Sequence, residues 1–353
     1  MIPALDAASW ARQLSISREA VELYLASEVI DLHLDTFIWA RSFGYDLTRR
    51  HGRAPLGGWF LGHADFPRVR EAGLAAATWV ITTNPLREAG ERFATLLQNL
   101  KTLEELVKGQ AEDLELVRTL SEYRAARTRG HHGVFVGIQG GNALDGTDDA
   151  VERLPPLSIL RVTLVHLSSS RIGVTSSPLR VGPDLGLSDF GRSLVQRLNA
   201  SRILVDLAHI SPGGFWDAVR VHDPSLPVVV THTGVSGVHR HWRNLDDSQL
   251  RAVADSGGFV GIMFHSEFLG DRLWSGRAES VVDHLAHVVR VAGEDCPALG
   301  SDFDGAIVPP RDLASVLELP RLVELMLKRG FRPELVQKIL GRNFLRVLGA
   351  IRP

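Results

Sequence analysis

The chain has 353 residues, a formal net charge of −2 at pH 7 and a single cysteine, Cys296. The near-neutral charge excludes an electrostatic basis for nucleic-acid binding, which requires a basic face, and no apolar run is long enough to cross a bilayer. One cysteine excludes an intrachain disulfide, and residues 1–14 lack the pattern of a signal peptide. We therefore expect a globular protein of the reducing cytoplasm, without a nucleic-acid or membrane partner.

Eight apolar, β-rich runs alternate with helical stretches along the chain. An amphipathic helix over about residues 8–27 precedes the first run, and helices over about residues 313–350 follow the last. The predicted strands are 29–35, 75–82, 133–139, 159–166, 203–209, 228–232, 259–264 and 298–302. Their hydrophobicity is continuous rather than alternating, which is typical of parallel strands covered on both faces. The pattern predicts an α/β protein with one domain over residues 1–353, a single (β/α)8 barrel of the TIM type.

The connections between the runs contain recognisable helix signals. Asp189, Ser211 and Asp246 are expected at helix N-termini, where residues of these types are favoured. The main helical stretches between the runs are 88–108, 188–200, 246–256 and 278–292. Residues 41–66, after the first strand, are rich in Gly, Arg and aromatic side chains and are long for a connection. This segment is expected to be a functional loop.

Side chains that bind metals recur where the predicted strands end. His33 and Asp35 lie two residues apart, so they share one face of the first strand. His209 and His232 end the fifth and sixth strands, and Asp302 ends the eighth. Because the carboxyl ends of barrel strands meet at one mouth, we expect these residues to converge there. Imidazole and carboxylate ligands favour zinc, with manganese and cobalt as alternatives, so the pattern predicts a metallo-dependent hydrolase.

Seven short motifs follow one another along the chain. They are DLHLD at 31–35, GGNAL at 140–144, LGLSDFG at 185–191, VDLAHIS at 205–211, HWRNL at 241–245, GSDFDG at 300–305 and GRNFLRV at 341–347. In this order they resemble the motifs of the membrane (renal) dipeptidase family, over residues 30–347. The resemblance implies a zinc dipeptidase of the amidohydrolase-like barrel group, with two metal ions bridged by a carboxylate.

The resemblance also implies roles for the ligands named above. His33 and Asp35 would bind one ion, and His209 and His232 the other. These assignments come from the matching positions of the motifs, and they give zinc as the cofactor, with one or two ions bound.

Three further residues receive substrate roles from the resemblance. His166, at the end of the fourth strand, would contact the substrate carbonyl or the oxyanion formed from it. Arg243 would hold the substrate carboxylate, a bidentate task suited to a guanidinium. Asp302 would take the substrate amine or carry a proton between the attacking water and the leaving nitrogen.

The chain departs from the family at the bridging position. The third strand of the family ends in Glu-Gly-Gly-His, whereas here Gln139 stands at the bridging Glu and Asn142 at the His. A neutral amide neutralises two neighbouring cations poorly, so binding of a second ion is expected to be weak. His265 and Glu267, after the seventh strand, are open alternatives for an additional contact. The remaining histidines are expected in loops or on the surface: His51, His63, His131, His132, His222, His239, His241, His284 and His287.

The first functional hypothesis is hydrolysis of a dipeptide, or a related small amide with a free carboxylate, by metal-bound hydroxide. One alternative is a non-catalytic relative that binds a small ligand. Another is a hydrolase with one metal ion and a different small substrate. All three have a small molecule as the partner, and the sequence is compatible with a homodimer.

Overall fold

The computed structural model describes residues 6–52, 59–178, 180 and 182–353. The strands β1 to β9 are Ile30–Leu34, Ala76–Thr82, Leu114–Leu116, His132–Gln139, Arg161–Thr163, Leu204–Asp206, Val230–Thr233, Val260–Ile262 and Pro297–Leu299. The helices α1 to α13 are Ala7–Leu14, Arg18–Leu25, Thr36–Phe43, Phe66–Glu71, Ala89–Lys108, Leu120–Thr128, Asp189–Ala200, Pro212–Val221, Asp247–Asp255, Ala278–Ala292, Pro320–Lys328, Pro333–Gln337 and Asn343–Ile351. Each predicted run contains a strand, and β3 is an additional short one. Within the described ranges, no helix combines the length and the apolar character needed to pass through a bilayer.

Every pairing between these strands is parallel, which places the chain in the α/β class. One sheet has the order β1-β2-β4-β5-β6 and forms a parallel half-barrel, while β7, β8 and β9 form a second sheet. The long strand β4 accommodates β3 because its first residues pair with β3 and its last residues pair with β5. Single parallel bridges join the two sheets, from Asp206 to Val229 and from Leu34 to Phe303.

Burial explains the continuous apolar runs of the sequence. Every residue of β1, β2 and β4 is buried. Trp79 of β2 packs edge-on against Phe66 of α4, with ring centroids 4.9 Å apart, and Phe135 of β4 contacts Phe344 of α13 at 5.2 Å. Each such side chain contributes roughly 1.5–3 kcal/mol by leaving water. The strands are therefore held by packing on both faces of the sheets.

The N-terminal segment differs from the single helix that was predicted over about residues 8–27. Helix α1 ends at Leu14, and the following Ser15 adopts a left-handed backbone conformation with φ of 54°. Helix α2 then starts after Ser17, whose side chain accepts a hydrogen bond from the Ala20 N–H. The segment consequently folds as two short helices. The predicted loop over residues 41–66 is also shorter than expected, because α3 extends to Phe43; residues 53–58 lie outside the described part of the chain.

The three residues predicted at helix N-termini are found there. Asp246 forms a reciprocal capping box with Gln249, and Ser211 caps α8 through the Gly214 N–H. Asp189 is the first residue of α7, and the preceding Ser188 provides the capping side chain.

The closing motif at residues 341–347 has a structural role. A side chain at Gly341 would place its Cβ 1.9 Å from the Glu28 carbonyl oxygen, so only glycine allows this approach to the chain before β1. The Asn343 amide donates hydrogen bonds to the carbonyl oxygens of Glu294 and Pro297, each at 2.9 Å. Between α12 and α13 the chain forms one π-helical segment, Lys338–Arg342. The motif thereby joins the C-terminal helices to the starts of β1 and β9.

The capping assignment of α7 is testable with a pair of variants. Ser188→Ala removes the side-chain oxygen that accepts from the Gly191 N–H at 3.0 Å, and should lower the free energy of unfolding by about 1 kcal/mol. Asp189→Ala removes a fully exposed carboxylate paired with Arg192, and should leave the free energy of unfolding nearly unchanged, because solvent screens such a pair. Urea denaturation measures both values. An equal or larger loss for Asp189→Ala would contradict the assignment.

Candidate functional site

The polar residues predicted at strand ends gather around one cavity. His166, His209, His265 and Asp302 each stand three positions after a strand, namely β5, β6, β8 and β9. The strands are parallel, so this shared offset carries their side chains beyond the same edge of the sheets. The cavity has a volume of about 330 Å³. The residues singled out from the sequence that line it are Asp35, Gln139, His166, His209, His265 and Asp302.

His33, His232 and Asp302 form a compact group that could hold a metal ion. One donor atom from each lies within 4.8 Å of the others. The Nε2 atom of His33 is 3.7 Å from Asp302 Oδ1 and 3.4 Å from Asp35 Oδ2. His209 approaches the same group, because its Nε2 lies 2.9 Å from His232 Nε2. The group contains one member of each predicted ligand pair, His33 and His232, together with Asp302.

Two observations indicate that these residues fit a cation. Within the described chain, Gln139 Oε1 and His209 Nδ1 are buried without a hydrogen-bond partner. An unsatisfied buried polar atom costs about 1–3 kcal/mol, so such atoms mark places where a ligand is accommodated. His209 and Asp302 also have positive φ values, 66° and 61°. Non-glycine residues in this conformation cluster at functional sites, where the surrounding structure holds them.

Burial sets the protonation of the histidines. It lowers the pKa of His166 to about 4 and the pKa values of His209 and His232 well below the usual value. These imidazoles are therefore neutral at pH 7, as metal ligation requires. Burial and the nearby Asp35 charge raise the pKa of Asp302 well above the usual value for a carboxyl group.

Arg161, which sequence reasoning did not single out, lies directly beneath the candidate ligands. Its Nη2 donates a hydrogen bond to His33 Nδ1 at 2.8 Å, and its Nη1 contacts Asp206 Oδ2 at 3.1 Å. A guanidinium can only donate, so His33 Nδ1 must accept and neutral His33 carries its proton on Nε2. Gly137 of the adjacent strand leaves room for this group, because a Cβ there would lie 3.1 Å from Arg161 Cζ. The available sequence signal was one charged residue inside an apolar strand.

Arg243 is buried next to the cavity rather than among the side chains that line it. Its Nη2 donates to the His232 carbonyl oxygen at 2.8 Å, and its Nε has no partner among the described residues. Burial lowers its pKa to about 10, with Asp302 and Asp206 opposing that effect. The side chain remains charged at pH 7 and keeps a donor available.

His265 and Glu267, the two residues left open as additional contacts after β8, occupy different environments in the structure. His265 lines the cavity, and its Nδ1 accepts a hydrogen bond from the Val308 N–H at 3.1 Å. Glu267 is exposed to solvent and does not line the cavity. His265 is therefore placed to touch a ligand, whereas Glu267 is not.

The expectation of a loop or surface position is wrong for His132, which lies in β4, and for His284 and His287, which lie in α10. His63 and His222 lie in loops, and all five of these histidines are buried. At least one ring nitrogen of each bonds to a neighbouring main-chain or side-chain group. His63 Nδ1, for example, accepts from the Asp304 N–H at 2.8 Å. Asp304 itself was missed: it lines the cavity and accepts a hydrogen bond from Thr36 Oγ1 at 2.6 Å.

Residues 17–352 match the family described as membrane dipeptidase, peptidase family M19. An uncharacterised protein of the pqqA 5' region of Klebsiella pneumoniae is 31% identical over 265 residues, which cover 73% of this chain and 97% of that protein. Among solved structures, the dipeptidase AC, a family M19 metallopeptidase, has a TM-score of 0.82 and 27% identity, covering 92% of this chain and 99% of its own.

A metallopeptidase from Rhodobacter sphaeroides, liganded with a phosphinate mimic of the dipeptide L-Ala-D-Ala, is similarly close. It has a TM-score of 0.81 and 26% identity, covering 92% of this chain and 99% of its own. The family match spans nearly the whole chain, and the order of the motifs agrees with it. The chain belongs to the membrane dipeptidase family, peptidase family M19.

Proposed function

We propose that this protein is a metal-dependent hydrolase of a dipeptide, or of a related small amide with a free carboxylate. The observation that carries the proposal is that one donor atom from each of His33, His232 and Asp302 lies within 4.8 Å of the others, and that Asp302 lines the cavity. The similar dipeptidase AC and the R. sphaeroides enzyme with its dipeptide mimic support this substrate class. The cavity volume of about 330 Å³ is within the range of small-molecule sites.

The proposed architecture is a single closed (β/α)8 barrel. The parallel bridge from Asp206 to Val229 supports closure between β6 and β7, and the bridge from Leu34 to Phe303 supports closure between β1 and the chain after β9. In such a barrel the mouth gathers catalytic residues from several strands, in agreement with the common offset of the strand-end residues.

His33, His232 and Asp302 are the proposed metal ligands, with Asp35 and His209 beside them, and zinc is the ion that this donor set favours. When bound, zinc would polarise the scissile carbonyl and activate water. His166, neutral and at the cavity wall, would donate to the developing oxyanion. Alternatively, His166 would contact the carbonyl oxygen of the unreacted substrate.

Two other residues would position the substrate and move the proton. Arg243 would hold the substrate carboxylate through the donor that has no protein partner. Asp302 lines the cavity and would either bind the substrate amine or carry a proton to the leaving nitrogen. In this proposal, the carboxylate and the amine of the substrate contact side chains that are already buried and held in place.

The charges of the site favour one tightly held ion over two. Gln139 is neutral where the family has a bridging carboxylate, and the Arg161 guanidinium lies 2.8 Å from His33 Nδ1. Two divalent ions roughly 3.5–4 Å apart repel each other strongly and need a negative bridge. The missing bridge and the nearby guanidinium both act against the second ion.

Restoring the bridge tests this proposal. Gln139→Glu should raise the tightly bound metal from about one ion toward two, because a carboxylate adds a charge and a ligand worth several kcal/mol (order of magnitude) in metal binding. Elemental analysis after purification without chelator measures the ratio of metal to protein, and an amine-release assay measures dipeptide hydrolysis. Gln98→Glu, at an exposed position of α5, is the matched control.

The result separates the hypotheses for this protein. Two tightly bound ions in the native protein would contradict the single-ion proposal. A native protein without metal and without hydrolysis would favour the non-catalytic, ligand-binding relative. Metal without dipeptide hydrolysis would favour a hydrolase of another small substrate.

Arg243→Lys tests substrate binding. Lysine keeps the charge but not the bidentate fork, so the specificity constant kcat/KM on a cleaved dipeptide should fall about tenfold or more, mainly through KM. The midpoint of thermal unfolding should change little by comparison. Arg240→Lys, at an exposed neighbouring position, is the control and should keep the native specificity constant. An unchanged constant for Arg243→Lys would remove this residue from the site.

A further inference from the structure

A second cavity, of about 370 Å³, adjoins the candidate active site. Ile38, Thr82, His166 and Leu167 line both cavities, so these four side chains lie where the two meet. A substrate held at His166 therefore lies next to the second space. None of the sequence motifs discussed above predicts a function for it.

The second cavity has an excess of positive charge. Arg41, Arg87 and Arg92 line it, and no carboxylate does so among the residues that the structure describes. The other polar lining groups are hydroxyls and amides, such as those of Ser42 and Asn84. A cavity of this composition is complementary to an anion that also accepts neutral hydrogen bonds.

Arg92 is already neutralised. Its Nη1 pairs with Asp145 at 3.2 Å, and its Nε donates to the Arg87 carbonyl oxygen at 2.8 Å. Arg92 thus fixes the segment that carries Arg87 and does not offer its charge to a ligand.

Arg41 and Arg87 keep their charges available. Arg87 has one contact to Glu91, at 3.4 Å, and the two side chains are 40% and 62% exposed, so this pair is weak. Arg41 donates to the Thr82 carbonyl oxygen, has a buried Nε without a partner among the described residues, and has no carboxylate within salt-bridge distance there. Burial lowers the pKa of Arg41, and the Arg87 charge acts in the same direction, while Asp35 opposes it. Two guanidinium groups near each other in this way are stabilised by a shared anion.

We propose that Arg41 and Arg87, which we call the arginine pocket, bind a second carboxylate of the substrate. The preferred substrate is then a dipeptide with an aspartyl or glutamyl side chain, whose other carboxylate is left for Arg243. This inference rests on the proposed hydrolase function. Guanidinium groups bind carboxylates in a bidentate geometry, and the cavity excludes part of the competing water, which strengthens the interaction.

Pairs of dipeptides that differ in charge but hardly in size provide the test. Ala-Glu is compared with Ala-Gln, and Glu-Ala with Gln-Ala, each with L and D residues. We expect at least one acidic dipeptide to have a kcat/KM about tenfold or more above that of its amide partner. The ratio should decrease as sodium chloride is added, because Arg87 is partly exposed and its charge is screened.

Variants locate the preference in the arginine pocket. Arg87→Gln and Arg41→Gln should each lower the acid-to-amide ratio about tenfold. Arg124→Gln, on an exposed position of α6, is the matched control and should keep the native ratio. Arg87 is exposed enough that its replacement leaves the core intact, and thermal unfolding verifies that Arg41→Gln is folded.

Failure of this inference can be told apart from failure of the proposed function. Cleavage of acidic and amide dipeptides with equal kcat/KM would overturn the arginine pocket and leave the hydrolase proposal standing. If no dipeptide is cleaved, calorimetric titration with glutamate and glutamine decides. Binding of glutamate over glutamine that is lost in Arg87→Gln would support the pocket without the hydrolase, and equal binding would overturn the pocket as well.

Discussion

The buried ion pair between Arg161 and Asp206 is the interaction on which the candidate site depends. Asp206 also accepts hydrogen bonds from the hydroxyl groups of Thr163 and Thr231, at 2.6 and 2.7 Å, so this one carboxylate joins β5, β6 and β7. Although burial opposes it, the Arg161 charge and these bonds lower the pKa of Asp206 below its ordinary value. Breaking a buried pair by removing one partner costs about 3–5 kcal/mol, because the other charge is left unpaired. The pair therefore fixes the position of Arg161, whose guanidinium donates a hydrogen bond to His33.

The Arg161 guanidinium determines which ring nitrogen of His33 carries the proton. A metal-binding histidine usually donates its second ring nitrogen to a carboxylate or carbonyl group, which makes it a stronger ligand. His33 instead faces the Arg161 guanidinium with Nδ1, so a neutral His33 carries its proton on Nε2, the atom nearest Asp35 and Asp302. A metal ion bound at Nε2 would have to displace that proton, which would make His33 a weaker ligand. In the proposed function, this proton and the neutral amide of Gln139 both act against the binding of cations.

The sequence predicts those parts of the molecule that depend on local pattern. The strands are buried on both faces, so hydrophobicity alone locates them, and the residues that follow several of the strands reach the same edge of the sheets because the strands are parallel. Positions set by tertiary neighbours could not be predicted. Ser188 rather than Asp189 caps α7, a choice between adjacent residues that only the backbone geometry makes. In the sequence, Arg161 is only one charged residue within an apolar run. Its role becomes evident from the positions of Gly137 and Asp206, which contact it in the folded chain.

The distribution of charge around the two cavities connects the metal proposal with the substrate proposal. In the proposed function, Asp35 and Asp302 would supply the negative charge for one divalent ion, with the ion displacing the proton that the raised pKa of Asp302 favours, and Arg243 would bind a single substrate carboxylate. A substrate with one carboxylate would leave the buried Nε of Arg41 without an acceptor, at a cost of about 1–3 kcal/mol. A substrate with a second carboxylate would remove that cost and relieve the repulsion between Arg41 and Arg87. On these proposals, the guanidinium groups of Arg41, Arg87 and Arg243 would contribute more to substrate recognition, and metal ions would contribute less because Gln139 carries no charge.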